Sequence, residues 1–252
     1  MKKAYGKNKR NIVYLFLISV CFIFLTTGCG LDVISVVLED PVSSSDEPNQ
    51  TSQFGEMSFT FSTHKLDNSN NMGHNYVAYK IYNKQSILES EVNTLQNILN
   101  DSNRKQNSAV SLLNTYYYRY LNIKGAASDK DSSQLEIDNG SHEIRIRLSN
   151  YDDTSEEYSA GIWVDGKRKG FPCRVSGAYS FDFGRKGDFD VIPQKDDEDA
   201  KNFVENPLEE EKGNYYVALF SVFMMFDDDY SAIYSPIHYL GCVKIDSNSE
   251  NN

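Results

Sequence analysis

Three short stretches of the chain have apolar residues at every second position. The apolar positions are Met57, Phe59 and Phe61 in residues 57–62, Val77, Tyr79 and Ile81 in residues 76–82, and Ile144, Ile146 and Leu148 in residues 143–148. Successive side chains of a β-strand point to opposite faces, so this period of two predicts three strands, each with one buried face. In residues 143–148 the outward positions are Glu143, Arg145 and Arg147.

One stretch changes to a helical period. Leu88, Val92, Leu95 and Leu99 follow one another at intervals of three or four residues. This spacing places them on one side of a helix, and it predicts an amphipathic helix over residues 87–100 that packs on the body of the protein. A second, shorter helical run is predicted around residues 108–114.

The other strands are predicted from composition and turn signals. Residues 215–226 are apolar on both faces, which is typical of a central strand covered on both sides. Further strands are predicted at residues 116–123, 171–175, 179–183 and 237–245, and Asp165-Gly166 predicts a hairpin turn. Several short strands separated by turns indicate a mainly β fold, either a sandwich or a barrel.

The N-terminus has the composition of a secretory leader. Residues 1–11 carry five basic side chains and no acid, and residues 12–27 form an uncharged run of sixteen residues rich in Leu, Ile and Phe. That run is shorter than the roughly 20 residues that span a bilayer as a helix. A signal peptide over residues 1–28 is therefore favoured over an uncleaved transmembrane anchor.

The residues that close this run resemble the lipobox of bacterial lipoproteins. Leu25-Thr26-Thr27-Gly28 directly precedes Cys29, although Thr26 stands at the position where that family most often has Leu. The resemblance implies cleavage before Cys29 and acylation of that cysteine, and two or more acyl chains hold a protein firmly to a membrane. Gly30 after the cysteine implies the outer membrane. Cys29-Gly30-Leu31 with the nearby Pro41 also resembles lipoproteins of spirochaetes.

Three segments of the body resemble a fibronectin type III or immunoglobulin-like sandwich. Residues 215–222, with Tyr215 at the start, are similar to the sixth strand of that family, and residues 235–245 are similar to its closing strand. Residues 73–79 are similar to its third strand, with residues 57–61 before them as the second. The resemblance implies an immunoglobulin-like sandwich, but residues 83–214 are too long for such a domain and would form an insertion.

The domain organisation follows from these predictions. We expect the signal peptide at residues 1–28, a lipid anchor and polar tether at residues 29–56, and a β-sandwich body at residues 57–246. Within the body, residues 83–214 are the insertion with the amphipathic helix, and residues 247–252 form a disordered tail.

The charge of the chain bears on its binding partners, and its cysteine content bears on possible disulfides. The chain has 25 basic and 36 acidic residues; without the five basic residues of the leader it has 20 against 36, a formal charge of −16. Nucleic-acid binders concentrate Lys and Arg, so nucleic acid is not expected as a partner. Cys173 and Cys242 remain after Cys21 and Cys29, and two alternatives stay open for them: one disulfide or two separately buried thiols.

The sequence contains no familiar catalytic motif. It has neither a Gly-x-Ser-x-Gly elbow nor a glycine-rich phosphate loop. The four histidines, His64, His74, His142 and His238, have no zinc-ligand spacing, and a Cys173 nucleophile would need a base supplied by the fold. No cofactor is expected, and calcium is the one metal considered.

Two acidic runs could supply oxygen ligands for calcium. Residues 196–199 and Asp227-Asp228-Asp229 are the candidates, with solvated acid as the alternative in each case. Asp129-x-Asp131-x-Ser133 begins like an EF-hand loop, but Gln134 and Gly140 stand where its glycine and glutamate belong.

Two functions fit these observations. The first is a non-catalytic, lipid-anchored envelope protein that binds a protein, a glycan or another envelope component. The alternative is a lipid-anchored hydrolase of glycan or peptide whose carboxylates meet only in the fold. The tyrosines at 116, 117, 118 and 120 are candidates for a surface on which sugars or peptides stack.

Overall fold

The computed structural model describes a mainly β protein. The described residues are 42–43, 58–63, 73–99, 111, 113–125, 131–132, 135–137, 140–148, 160–175, 180–183, 192–226 and 230–247. They all belong to one unit, Val37–Asn252. Within them, no helix is long and apolar enough to cross a membrane.

The described residues contain thirteen strands and one long helix. In chain order these are β1 (Val42–Ser43), β2 (Phe59–Ser62), β3 (Gly73–Tyr82), α1 (Gln85–Leu99), β4 (Arg119–Tyr120), β5 (Asn122–Lys124), β6 (Asp131–Ser132), β7 (Leu135–Ile137), β8 (Glu143–Arg147), β9 (Gly161–Val164), β10 (Lys167–Cys173), β11 (Asn214–Phe226), β12 (Ala232–Tyr234) and β13 (His238–Asp246). A short 3₁₀ turn at Glu209–Glu211 precedes β11.

The strands form two antiparallel sheets. Sheet A has the order β1-β2-β8-β9-β10-β5-β6. In sheet B the long strand β11 pairs with β3 on one side and with β13 and β12 on the other, and β4 and β7 pair with the far edge of β3. The prediction of a mainly β fold with two sheets is therefore confirmed.

The centre of sheet B is the long pairing between β3 and β11. Tyr216 to Met224 pair one by one with Tyr82 to His74. Residues 217–222 are buried, as are residues 77–82 on β3, because both faces of this strand pair are covered. The predicted central strand at residues 215–226 is confirmed, and the predicted strand at residues 76–82 is present and begins three residues earlier.

Two cores lie on opposite faces of this strand pair. On the helix-side face, α1 packs through Leu88, Val92 and Leu95 onto alternate residues of β3 and β11, among them Ala78, Tyr82, Ala218 and Phe220. The predicted amphipathic helix is thus confirmed, with Gln85 as its first residue. The opposite, inter-sheet face buries Val77, Tyr79 and Ile81, as the alternation predicts.

The predicted strand at residues 116–123 is wrong in detail. Tyr116 and Tyr117 form a turn, with Tyr117 at a φ of +63°. After that turn, β4 pairs with β3 in sheet B and β5 pairs with β10 in sheet A. The chain changes sheets at Leu121, whose amide donates to the carbonyl of Val77. A run of aromatic residues signals strand propensity, but it does not reveal which sheet each half joins.

The hairpin prediction is confirmed. Asp165 and Gly166 join β9 to β10, with φ angles of +49° and +73°. Positive φ at both central residues is the requirement of a type I′ turn, which matches the twist of the flanking strands.

The alternation in β8 is confirmed on its inward side and only partly on its outward side. Ile144, Ile146 and Leu148 are buried and Glu143 is exposed. Arg147 is buried, however, although it was predicted to point outward. It stands opposite Gly161, and the indole ring of Trp163 lies against Gly161. The outward side of sheet A is therefore partly covered.

Two predictions about the flanks of the strands differ from the structure. Residues 180–183 form a turn rather than a strand, with Phe183 at a φ of +49°, and it is their aromatic rings that are buried. Val42 and Ser43, which fall in the predicted tether, pair with Ser62 and Phe61 as a short edge strand of sheet A. The leader at residues 1–28 and residues 248–252 of the predicted tail lie outside the described residues.

Candidate functional site: the helix-side face of sheet B

A polar groove runs between α1 and the strands β11 and β13. It encloses about 240 Å³. The helix contributes Gln85, Leu88, Glu89, Val92, Asn93 and Gln96. The sheet contributes Tyr216, Tyr239 and Cys242. α1 follows β3 directly and packs on the sheet through Leu88, Val92 and Leu95. The neighbouring flank of the helix does not pack on the sheet, and the groove is the space between that flank and the strands.

The polar side chains that the structure describes in the groove lining are amides, phenols, one thiol and one carboxylate. The Gln85 side-chain amide donates to Glu89 Oε1 at 2.8 Å, one helical turn further on. Burial is the largest cause that raises the pKa of Tyr216, followed by the nearby carboxylate of Glu211. The Tyr216 hydroxyl therefore remains a hydrogen-bond donor. No Lys, Arg or His is found among the lining residues that the structure describes.

A patch of tyrosines lies on the same face of sheet B as the groove. Tyr76, Tyr120, Tyr234 and Tyr239 come from four different strands and pack half-buried against the helix-side core. The rings of Tyr76 and Tyr120 lie 5.1 Å apart, and the ring of Tyr239 lies 5.0 Å from that of Phe220. Burial raises the pKa of Tyr120 to about 12, with Tyr234 and Tyr76 as lesser causes. Tyr239 belongs to both the groove and this tyrosine patch.

The predicted tyrosine surface at residues 116–120 is only partly present. Tyr120 joins the patch, whereas Tyr118 is buried against Phe220 and Tyr117 is about half exposed. The other members of the patch lie far away in sequence, on β3, β12 and β13. Only the pairing of these strands brings them together, so a local run of tyrosines could not identify them.

Under this face lies a group of residues that we call the lysine cluster: Lys80, Tyr82, Glu91, Tyr118 and Asn202. Lys80 Nζ donates to Glu91 Oε1 and to the carbonyl of Tyr116, each at 2.7 Å. Tyr82 donates to the same carboxylate oxygen, and its hydroxyl lies 2.9 Å from that of Tyr118. Asn202 donates to the other oxygen of Glu91. The cluster ties α1 to sheet B.

Burial dominates the protonation behaviour of the lysine cluster. It lowers the pKa of Lys80, and the hydrogen bond and charge of Glu91 counteract only part of that effect. The ammonium also lies 5.1 Å from the ring centre of Tyr82, close enough for a cation–π contact. Burial raises the pKa values of Tyr82 and Tyr118, so both phenols stay protonated at neutral pH.

A second charged group, the arginine cluster, lies on the inter-sheet face and consists of Tyr79, Arg174, Asp197 and Asp199. Arg174 donates to both carboxylate oxygens of Asp199, at 3.1 and 2.9 Å, and to Asp197 at 2.7 Å. Tyr79 donates to Asp199 at 2.6 Å and accepts from the amide of Val175 at 2.8 Å. The side chains of Arg174 and Asp199 are fully buried. This arrangement joins both sheets to the loop before β11.

The arginine cluster includes two acids of one predicted calcium site, the acidic run at residues 196–199. Asp197 and Asp199, from the acidic run at residues 196–199, are bound to Arg174, so the protein supplies their counter-charge itself. Within the described residues no three His, Cys, Asp or Glu side chains are grouped to hold a metal ion. Asp227, Asp228 and Asp229 lie outside the described residues, as does Cys29.

The two cysteines of the body are free thiols. Cys173 is buried in β10 of sheet A, and Cys242 is half-buried in β13 of sheet B. Of the two alternatives that the sequence leaves open, separate thiols describe the structure. Cys242 is exposed to the groove, which the sequence does not indicate.

One histidine has a carboxylate partner that its sequence neighbours do not reveal. His142 Nδ1 lies 2.6 Å from Asp165 Oδ2, and Asp165 Oδ1 accepts from the amide of Glu143. These hydrogen bonds lower the pKa of the Asp165 carboxyl. The nearby hydroxyls have other partners: Ser141 donates to the Thr63 carbonyl, and Thr63 Oγ1 accepts from the His142 amide. The pair fastens the hairpin turn to β8.

Comparison of the chain with protein-family models, with curated proteins and with solved structures gives no match. The function is therefore inferred from the residues and their arrangement.

Proposed function

We propose that this chain is a lipid-anchored cell-envelope protein of bacteria that binds its ligand without transforming it. The observation that carries the proposal lies on the helix-side face of sheet B: Tyr239 lines the polar groove, and it packs with the other half-buried tyrosines of the patch against the same core. Concave sites with a few convergent polar groups are the usual places for ligands, and tyrosines supply contact area at low entropic cost.

The membrane attachment is proposed from the leader and Cys29. Acylation of Cys29 would place the body at the end of a polar tether, with Gly30 favouring the outer membrane. The strongly acidic composition of the body disfavours nucleic acid as a partner.

We also propose that the fold is an immunoglobulin-like sandwich with a long insertion. Two pairings support this. β3, β11 and β13 are adjacent in one sheet, as are the third, sixth and seventh strands of that family, and β2 lies in the other sheet. The insertion at residues 83–214 supplies α1 and strands of both sheets.

The choice of binding over hydrolysis rests on the carboxylates. Most glycoside hydrolases use two carboxyl groups about 5–10 Å apart across the bond that is cut. The described part of the groove lining has one carboxyl group, that of Glu89, and it already accepts a hydrogen bond from Gln85. The alternative of a hydrolase is supported only by the His142–Asp165 pair, which has the form of a base oriented by a carboxylate.

The first test concerns the anchor. Cys29→Ser should abolish labelling of the chain by a fatty-acid probe in bacterial cells and should leave the leader uncut, because the acylated thiol is gone. Cys242→Ser is the matched control and should be labelled normally. Equal labelling of the Cys29 variant and the natural chain would contradict the proposal.

The second test concerns binding. The full chain in detergent micelles should sediment with an insoluble envelope fraction and should be recovered with the polymer chemically unchanged. Release of soluble sugars or peptides, prevented by His142→Ala, would favour the hydrolase. A chain that stays in the supernatant with every envelope fraction would contradict a binding role.

A further inference from the structure

We infer that the groove beside α1 holds a single residue of a neutral oligosaccharide. The inference rests on the proposed binding function and names its ligand class. Three properties of the groove carry it: its size, its charge and the kinds of hydrogen-bonding groups that line it.

The size of the groove selects a small ligand group. Pockets for whole drug-sized ligands typically enclose about 300–1,000 Å³. The groove encloses about 240 Å³, so it accommodates one ring rather than a longer fragment. The tyrosine patch, which packs on the same core and includes Tyr239 from the groove lining, would provide a platform for the sugar residues that follow along the same oligosaccharide.

The charge of the groove selects against anions. Among the described residues that line the groove, Glu89 is the one charged side chain, and none is Lys, Arg or His. The acids Glu211 and Asp246 contribute to the raised pKa of Tyr216, so the surrounding field is negative. A uronic acid, a sulfated sugar or a phosphate would be repelled here, whereas a neutral sugar would not.

The hydrogen-bonding groups match hydroxyls. Gln85, Asn93 and Gln96 each present both a donor and an acceptor, and the phenols of Tyr216 and Tyr239 do the same. A sugar ring carries adjacent hydroxyls that donate and accept at once, and its C–H face packs on apolar groups such as Leu88 and Val92.

A peptide fits the same walls less well. Extended peptides are bound chiefly through their main chain, by addition to an open strand edge. The groove is instead formed by the flank of a helix and the face of a sheet, which offer side chains only. A peptide ligand is therefore an outcome that the experiment must be able to show, and it would contradict the inference.

Cys242 provides a reporter inside the groove. Its thiol is half-buried there, whereas Cys173 is buried elsewhere. The full chain in detergent micelles is alkylated for a fixed series of times, and the Cys242 peptide is quantified by mass spectrometry. The probes are a neutral tetramer of N-acetylglucosamine, an anionic tetramer of galacturonate and an uncharged peptide of similar mass, each at millimolar concentration.

We expect the neutral tetramer to slow alkylation of Cys242 at least about threefold, with the slow reaction of Cys173 unchanged. Asn93→Ala removes one side-chain amide from the groove and should weaken the protection about fivefold, as the loss of a hydrogen bond implies. Asn97→Ala is the matched control: the same residue type on the same helix, exposed and outside the groove, with no change expected.

The outcomes separate the inference from the proposed function. Binding of the neutral tetramer without protection of Cys242, or with equal effects of the two asparagine variants, overturns the groove as the site and leaves a binding function standing. Protection by the galacturonate tetramer or the peptide alone overturns the ligand class. Failure of the neutral tetramer to bind overturns the inference, and failure to sediment with any envelope fraction overturns the proposed function as well.

Discussion

Two adjacent residues of β3 belong to two different charged clusters: Tyr79 to the arginine cluster and Lys80 to the lysine cluster. Tyr79 points to the inter-sheet face. There the side chain of Arg174, which is 0% exposed, donates hydrogen bonds to three carboxylate oxygens. Lys80 points to the helix side, where its ammonium has one carboxylate, one carbonyl and neighbouring aromatic rings. Two adjacent residues of β3 thus lie at two buried cations. Arg174, which follows β10, has three carboxylate oxygens as acceptors, whereas Lys80 itself has one.

The difference lies in the chemistry of the two cations. A guanidinium is planar and donates two parallel hydrogen bonds to a carboxylate, and it keeps its charge under nearly all conditions. An ammonium is a compact charge that loses its proton more readily when it is buried. Accordingly, the pKa of Arg174 is raised, although burial opposes this, whereas burial lowers the pKa of Lys80. We therefore expect the arginine cluster to contribute more to stability than the lysine cluster.

The largest effect is expected from breaking the arginine cluster. Arg174→Met removes the guanidinium and leaves the carboxylate of Asp199 fully buried, with the Tyr79 hydroxyl as its remaining side-chain partner. Removing one partner of a buried ion pair costs about 3–5 kcal/mol, and we expect that loss in the free energy of unfolding from urea melts.

Arg174→Lys is the control for this prediction. It keeps the positive charge but not the two-pronged geometry, so it should recover only part of the loss. An Arg174→Met protein as stable as the natural chain would show that the cluster does not hold the loop before β11 to the sheets.

The sequence predicted the framework of the fold better than it predicted these clusters. The alternation of Val77, Tyr79 and Ile81 and the apolar run at residues 215–226 found β3 and β11, because burial of a strand face leaves a local pattern. In contrast, Asp199 and Arg174 are 25 residues apart and Lys80 and Glu91 are 11 apart. From the sequence, the acids at residues 196–199 are expected to be solvated, since no neighbouring residue indicates that Arg174 binds them.

The candidate site was predicted least. Gln85, Asn93 and Gln96 stand on the polar side of an amphipathic pattern, where solvent exposure is the usual expectation. They become the wall of a groove only because β13 folds back beside β11 and places Tyr239 and Cys242 opposite them. That placement depends on pairings between residues far apart in sequence, which single-sequence patterns do not contain.

An intermediate effect is expected in alkaline solution, and it includes tyrosines of both clusters. Burial raises the pKa values of Tyr79, Tyr82 and Tyr118 above the ordinary value near 10. Above about pH 10 the unfolded chain releases these protons while the folded chain keeps them. The unfolded state then binds fewer protons, so stability falls as pH rises, by up to about 1.4 kcal/mol per pH unit for each tyrosine.

The measurement is the slope of the unfolding free energy between about pH 10.5 and 11.5, where one tyrosine can account for up to about 1.4 kcal/mol per unit. Tyr82→Phe should make this slope shallower by the contribution of one phenol, whatever it does to stability at neutral pH. Tyr230→Phe is the control, because Tyr230 is 88% exposed and belongs to neither cluster. Equal slopes in both variants would show that Tyr82 ionises freely in the folded protein.

The smallest effect is expected from Lys80→Met. Methionine has a similar length, it fills the space of the lysine stem, and it lacks the ammonium whose burial is unfavourable. Glu91 keeps hydrogen bonds from Tyr82 and Asn202 and retains 9% exposure, so its carboxylate is not stranded. The change in unfolding free energy should stay within about 1 kcal/mol of zero.

Lys80 also has the opposite pH dependence to the tyrosines. Because its pKa is lowered in the folded protein, the unfolded chain binds more protons just below about pH 10.4. The contribution of this residue to stability therefore rises with pH in that range. Lys80→Met should remove that rise, as measured by urea melts from about pH 8 to 10. A loss as large as that of Arg174→Met would show that the lysine cluster is as completely paired as the arginine cluster, and the contrast between the two faces of β3 would not hold.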